Sequence, residues 1–355
     1  MGFLWEKIAR RAMFGLDAEV AHELGMTALR SGLAAPYYSD AASLPIGPLK
    51  RFGVEFSNPV GVAAGFDKNG VAVNQLASLG FGFVEVGTVT YKPQTGNPRP
   101  RMFRLPQDEA LINRLGFNNE GAEAVAARLS KLKRIGIVGV NIGKNKDVPI
   151  EEATENYLAS FSLLADHADY VAINISSPNT PNLRELQRSE NLDELLSTLS
   201  QAAKNRVPLL VKIAPDISEA EIEAVVDICV KYEIAGIIAS NTTISRPGLT
   251  SENVEGIGAG GLSGRPLRDR STRVIETVYR SSNGRLTIIG VGGIFTGDDA
   301  FEKIEAGASL VQAYTGFIYG GPTFAEDVNI RLASILKERG FSTLDEAVGS
   351  GVPDR

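Results

Sequence analysis

The chain has 355 residues, 43% hydrophobic and 22% charged, which is enough apolar material for a large core and excludes a disordered chain. Its 36 basic and 42 acidic residues give a net charge of −6, which argues against a protein that coats nucleic acid. A single cysteine, Cys229, excludes a disulfide framework and Cys-based zinc or iron–sulfur sites, and two histidines leave little room for imidazole chemistry.

At the amino terminus, MGFLWEKIARRAMFG is no signal peptide, because Lys7, Arg10 and Arg11 interrupt the apolar stretch and no small-residue cleavage site follows. On a helix, Leu4, Ile8 and Ala12 form a stripe with Trp5 beside it. Such a helix suits either an anionic membrane surface or a berth on its own domain. A second helix starts with Asp17 as N-cap, carries the stripe Leu16, Val20, Leu24 and Ala28, and ends near Gly32. Residues 1–40 therefore read as a helical extension ahead of a different domain, 41–355.

From residue 55 on, short β-branched runs alternate with helical patterns. The runs are 60–64, 83–88, 137–142, 170–175, 209–213, 236–240, 287–291 and 310–313. Helices are expected at 71–79, 120–132, 151–167, 190–204, 218–232, 267–281, 297–306 and 324–338. Eight strand–helix units predict an α/β fold, a closed (β/α)8 barrel of the TIM type. An open dinucleotide-binding sheet would want GxGxxG after its first strand, and GVAAGFDKNG does not supply it.

In such a barrel the chemistry sits where strands end. Those ends read AAGFDKNG, EVGTVT, VNIGKN, NISSPNT, VKIAP, ASNTT, GVGGI and AYTGF. They lack a carboxylate pair for glycoside hydrolysis, a histidine for a serine hydrolase, and any metal-ligand cluster. A phosphosugar isomerase would want a carboxylate or histidine there. Many uncharged donors and acceptors suit a flat polar ring, or a flavin together with a small ring acid. GVGGI and AYTGF end the seventh and eighth strands, where this fold holds phosphate on backbone N–H groups; the bland alternative is a helix cap with turning glycines. Lys212 points into the mouth, either to support an anionic ring or merely to pair with a carboxylate. In NISSPNT, Pro178 stiffens a turn crowded with hydroxyls and carboxamides, a pattern that on its own reads as a local Ser/Asn turn.

With these segments in order, the chain resembles the dihydroorotate dehydrogenases, more narrowly their second, membrane-associated and quinone-using class. The motifs are VAAGFDKNG (62–70), NPRPRMFRLP (97–106), INRLGFNN (112–119), NISSPNT (174–180), NTT (241–243), GGLSGRPL (260–267), GVGGI (290–294) and YTGF (314–317). The resemblance implies an enzyme that oxidises dihydroorotate to orotate in pyrimidine synthesis, with FMN as cofactor and a quinone as acceptor. It implies Ser177 as catalytic base, where the cytosolic class has cysteine, with Lys68 and Thr180 as further catalytic residues. Implied substrate contacts are Lys68, Asn113, the Arg114, Leu115, Gly116 and Phe117 loop, Asn174, Asn179, Asn241 and Thr242. Implied flavin contacts are Ala64, Gly65, Lys68, Thr88, Asn141, Asn174, Lys212, Ser240, Gly264, Gly293, Tyr314 and Thr315. His22, Arg104 and Tyr314 match quinone-side positions. Residues 1–40 match a helical extension that forms a quinone tunnel and sits on the cytoplasmic side of the cell membrane as a peripheral anchor. A monomer that binds no metal and no nucleic acid is expected. The alternatives are the same half-reaction with fumarate or NAD as acceptor, or a non-catalytic flavin-binding barrel.

Overall fold

The computed structural model describes residues 5–353, apart from the side chains of Glu6 and Lys7, so Leu4 and the Lys7 side chain of the expected first helix lie outside the described residues. Eight parallel strands close a barrel: Val60–Val62, Phe83–Val89, Ile137–Ile142, Tyr170–Asn174, Leu209–Ile213, Gly236–Ala239, Thr287–Val291 and Leu310–Ala313. Each pairs with the next, and the eighth returns to the first through Val311↔Val60 and Ala313↔Val62. Helices follow the strands at Val73–Ala77, Ala122–Leu129, Ala153–Leu164, Ser189–Ala203, Glu219–Lys231, Arg268–Ser282, Gly297–Glu305 and Phe324–Arg339. Their starts follow local chemistry: Ser218 with Glu221 and Thr296 with Asp299 form capping boxes that satisfy orphan N–H groups. Cys229 is fully buried on the helix after the fifth strand.

The lumen is filled in layers. Gly61 and Gly139 leave room for aromatic rings: a Cβ on Gly61 would stand 2.4 Å from the Phe83 ring, and one on Gly139 2.0 Å from Tyr170. Phe56, on the hairpin formed by Leu49–Arg51 and Val54–Phe56, meets Phe83 edge-on at 5.2 Å and closes the lower end. Above this floor lies a polar layer of Glu85, Asn141, Lys212 and Gln312, and above that the mouth. A three-stranded antiparallel sheet, Met102–Leu105, Ala110–Asn113 and Gly261–Gly264, stands over the mouth. The strand patterns did not anticipate this sheet or the lower hairpin.

The amino-terminal segment forms a short π-turn, Trp5–Ala9, continued by Arg10–Phe14, and then the helix Ala18–Arg30. Asp17 caps the second helix by accepting from Glu19 N and Val20 N. The helices dock on their own domain. Ala18, Glu19, Ala21 and Leu29 are buried against the barrel, and Trp5 Nε1 and Arg10 donate to Tyr319 O, so Arg10 binds the barrel as well as flanking an apolar face. The opposite stripe faces outward: Leu16, Val20 and Leu24 are exposed, with Ile8 at 60% and Leu33 at 73%. No helix among the described residues is long and apolar enough to cross a membrane.

Candidate active site

The strand ends and the small sheet enclose a cavity lined by Lys68, Asn113, Ser177, Asn179, Asn241 and Thr242 on one side. Ala64, Gly65, Thr88, Asn174, Lys212, Ser240, Gly264, Gly293, Tyr314 and Thr315 line the rest. Residues from all parts of the barrel converge because each follows a strand whose direction the closed sheet fixes. No group of His, Cys, Asp and Glu that could hold a metal ion occurs among the described residues.

Ser177 is buried, and its Oγ accepts from Asn179 N at 3.3 Å. Asn179 Nδ2 donates to Asn113 O and Oδ1 at 3.1 and 3.3 Å, tying the serine loop to the 112–119 loop. In the latter, Gly116 and Phe117 both have positive φ (70° and 52°), which turns the chain sharply over the cavity. A Cβ on Gly116 would come within 2.7 Å of Asn97 Nδ2, so glycine is required there. Leu115, Gly116 and Phe117 line the cavity, but Arg114 does not. Its guanidinium turns away, donates to Ile257 O, Ala259 O and Pro100 O, and stacks on Phe103. Arg114 therefore holds the loop from outside. Thr180 is also off the cavity wall; its hydroxyl is buried without a partner. Asn141 stands behind the wall, reaching the cavity only through Thr88 Oγ1 (2.6 Å) and Asn174 Nδ2 (3.2 Å).

Among the described lining residues, Lys68 is the cation on the side of Asn113 and Ser177. Desolvation lowers its pKa to about 8, although Glu19 pulls it back up. Lys212, on the fifth strand, sits 3.8 Å from buried Glu85, so it both lines the cavity and pairs with a carboxylate. At the opposite edge, Gly293 has φ 72° and its Cβ would lie 2.4 Å from Arg268 Cα. Glycine there lets the chain pass against the Arg268–Ser282 helix while its backbone borders the cavity. At the Gly297–Glu305 helix, Asp299 accepts from Phe295 N and Thr296 N ahead of the helix, and Thr296 Oγ1 accepts from Asp299 N, so a carboxylate already stands at that helix start. The remaining anion cradle is the 292–294 and 314–316 backbone with Gly264 and Thr315; Ser263 Oγ lies 2.9 Å from Thr315 Oγ1.

A second cavity, of about 330 Å³, lies between the amino-terminal helices and the barrel. It is lined by apolar side chains such as Met13, Phe14, Leu29 and Phe317, with His22 and Arg104 as polar members. Burial, then Lys68, pushes the His22 pKa down to about 3, so the imidazole is neutral. Arg104 donates to Met13 O (3.0 Å) and Leu16 O, closing the end of the first helix. Tyr314 lines the first cavity, not the second. Phe66 links the two as edge-on contacts, 4.9 Å from His22 and 5.6 Å from Tyr314. The helices are latched by Glu19, which accepts from Arg101 at 2.7 Å and from Arg99 at 3.1 Å. Arg101 also donates to Thr95 O and Asn97 O. Sequence patterns did not single out Glu85, Glu19 or Arg101; a lone charge inside the apolar run FVEVGTV was the available signal for Glu85.

A family model described as dihydroorotate dehydrogenase matches residues 49–336. A protein of Gloeobacter violaceus named "Dihydroorotate dehydrogenase (quinone)" is 50% identical over 349 residues, covering 97% of this chain and 98% of its own. One of the same name from Mycolicibacterium smegmatis is 49% identical over 352 residues, with 98% and 99% covered. The crystal structure of ligand-free DHODH from Eimeria tenella is 40% identical, with a TM-score of 0.88 over 95% of this chain and 100% of that one.

Proposed function

The chain belongs to the dihydroorotate dehydrogenase family, and we infer that it oxidises dihydroorotate to orotate with a quinone as electron acceptor, a redox step of pyrimidine synthesis. The observation that carries this reading is the pairing of two cavities. One is polar and holds Lys68, Asn113, Ser177, Asn179 and Asn241; the other is apolar, beneath the amino-terminal helices, and the two meet where Phe66 of the second packs edge-on against Tyr314 of the first. A store of flavin would need neither the substrate set nor the second cavity.

The polar cavity fits flavin mononucleotide. Its glycine edge, at Gly264 and Gly293, borders the cavity with backbone that no Cβ shields, which suits a phosphate. The Tyr314 hydroxyl and Gln312 Oε1, both on the wall, are buried without partners. FMN would be held by Gly264, Gly293, Tyr314 and Thr315 at one end and by Ala64, Gly65, Thr88, Asn174, Lys212 and Ser240 around its ring. When bound, the flavin accepts hydride from the substrate and passes electrons on.

The chain's own residues do the remaining work. Lys68 faces the substrate carboxylate with a charge-assisted bond. The carboxamides of Asn113, Asn179 and Asn241 complement a ring with alternating N–H and C=O groups. Ser177 Oγ takes the proton from one ring carbon as hydride leaves the neighbouring carbon. The Asn179 N–H aimed at Oγ favours negative charge developing there, and burial keeps water away. The unpartnered Thr180 hydroxyl is available to carry that proton onward. On the other side, the apolar cavity with His22 and Arg104 would hold the quinone, which lies beyond Phe66 from Tyr314 and would take up the electrons. The exposed Ile8, Leu16, Val20, Leu24 and Leu33 dock residues 1–40 on the cytoplasmic face of the cell membrane, with the chain as a monomer.

Steady-state turnover with dihydroorotate and a short-chain quinone, compared with fumarate and with NAD, tests the reading. Quinone should support turnover and the soluble acceptors should not. Turnover with fumarate or NAD alone would overturn the acceptor assignment.

A further inference from the structure

A carboxylate taken fully out of water must be surrounded by donors. Glu85, midway along the second barrel strand, has no exposed surface. It accepts from Asn141 Nδ2 and the Tyr170 hydroxyl, each at 2.9 Å, and from Gln312 Nε2 at 2.7 Å, with Lys212 Nζ at 3.8 Å. Glu85 does not line the cavity; Lys212 and Asn174 do.

An ionised carboxylate can only accept. Asn141 must therefore give it the amide nitrogen, which turns Asn141 Oδ1 toward Thr88 Oγ1 and Asn174 Nδ2. Asn174, with its nitrogen so engaged, presents Oδ1 to Ser176 Oγ at 3.0 Å and to Asn241 Nδ2 at 3.4 Å. Asn241 is then left with Oδ1 accepting from Thr242 N at 2.8 Å. One acceptor in the lumen thus sets the direction of three successive carboxamides up to the substrate wall. Gln312 obeys the same rule: its nitrogen faces Glu85 even though this leaves its Oε1 buried without a partner.

We propose that Glu85 is a positioning residue, which pins the Lys212 ammonium on the wall of the cavity that would hold the flavin and fixes the donor–acceptor polarity of Asn141, Asn174 and Asn241. The proposal rests on the flavin and dihydroorotate reading of the cavity. A glutamine at 85 has the same shape, yet it offers one donor and one acceptor, so it no longer dictates which way Asn141 faces. It also removes the one negative charge that favours a proton on buried Lys212. Lys212 borders the cavity and Glu85 does not, so the cation dominates the field at the ring.

The test compares flavin-loaded protein with Glu85→Gln and Glu85→Asp at pH 8. The readouts are the flavin midpoint potential, measured by equilibration with reference dyes, and the orotate dissociation constant, measured from the flavin spectrum. Glu85→Gln should shift the potential, to more negative values where Lys212 loses its proton and to more positive values where it keeps it, and weaken orotate about tenfold, the loss expected for one misdirected hydrogen bond. Glu85→Asp keeps the charge and should hold the potential closer to that of the unaltered chain. If Glu85→Gln does not accumulate as folded protein, Asn141→Ser cuts the amide chain alone and should weaken orotate by a similar factor. Unchanged potential and orotate binding in Glu85→Gln, or unchanged orotate binding in Asn141→Ser, would overturn the proposal. Flavin and orotate binding by the unaltered chain supports the reading of the cavity independently, so failure in the variants then falls on Glu85 alone.

Discussion

The two cavities are built on opposite physical terms. The mouth of the barrel is walled by strand ends, where the closed sheet fixes every backbone and a continuous hydrogen-bond network fixes the side chains. The second cavity is walled on one side by two short helices that touch the barrel through small residues, Ala18 and Ala21, and a few polar latches such as Glu19 with Arg101. The first can discriminate among ring heterocycles because a wrong partner leaves a buried amide unpaired. The second selects mainly by apolar contact, which tolerates variation in its occupant. Burial by itself would push the Glu19 carboxyl up; the Arg101 guanidinium, with Arg99 and Lys68 behind it, brings it below the ordinary value. The helical wall is thus held by an ion pair at Glu19, by hydrogen bonds of Trp5, Arg10 and Arg104, and by packing elsewhere.

Changes in the polar cavity should therefore be severe and changes in the apolar one graded. Ser177→Ala should leave flavin bound while slowing its reduction by dihydroorotate by roughly a hundred- to ten-thousand-fold, the usual scale for a lost general base; rapid mixing without oxygen measures it. Lys68→Met should weaken orotate by roughly a hundredfold, since a hydrogen bond to a charged group is worth about 1.5–3 kcal/mol; titration of the flavin spectrum reads the loss. The same lysine predicts a pH dependence. Its pKa is depressed to about 8, so the ammonium is intact below that value and is lost as pH rises through it. Orotate affinity should be flat below pH 8 and fall up to about tenfold per unit above it; a profile that falls on the acid side would remove Lys68 from carboxylate binding.

On the apolar side, Gly25 lines the cavity and a Cβ there would meet nothing within 4 Å. Gly25→Phe should fill the space and raise the quinone KM several-fold, with the dihydroorotate half-reaction unaltered. Equal loss in both halves would mean that the two cavities are not separate. The smallest effect is expected outside: Leu16→Ser with Leu24→Ser should reduce sedimentation with anionic vesicles, because only part of each side chain is free to enter a membrane.

Much of this was legible in the sequence because the barrel repeats one local pattern. The eight β-branched runs match the eight strands within two residues at each end, and Asp17 caps its helix as its chemistry demands. The small sheet over the mouth was not legible, since Gly261–Gly264 pairs with Ala110–Asn113 across about 150 residues of chain and neither strand exceeds four residues. Side-chain direction was not legible either. Arg114 sits between lining residues yet points outward, and the stripe Leu16, Val20 and Leu24 faces away from the core that a stripe normally marks. Glu85 stands in the segment EVGTVT, but the sequence does not show that its side chain works one layer below the mouth, through Asn141.

The central claim is that this chain takes hydride from dihydroorotate in the polar cavity. Its most direct test is to purify the chain in mild detergent, exclude oxygen, record the visible spectrum and add dihydroorotate. A yellow flavin band that bleaches at once is the predicted result. A yellow protein that does not bleach would contradict the claim, leaving a flavin-binding barrel whose substrate lies elsewhere.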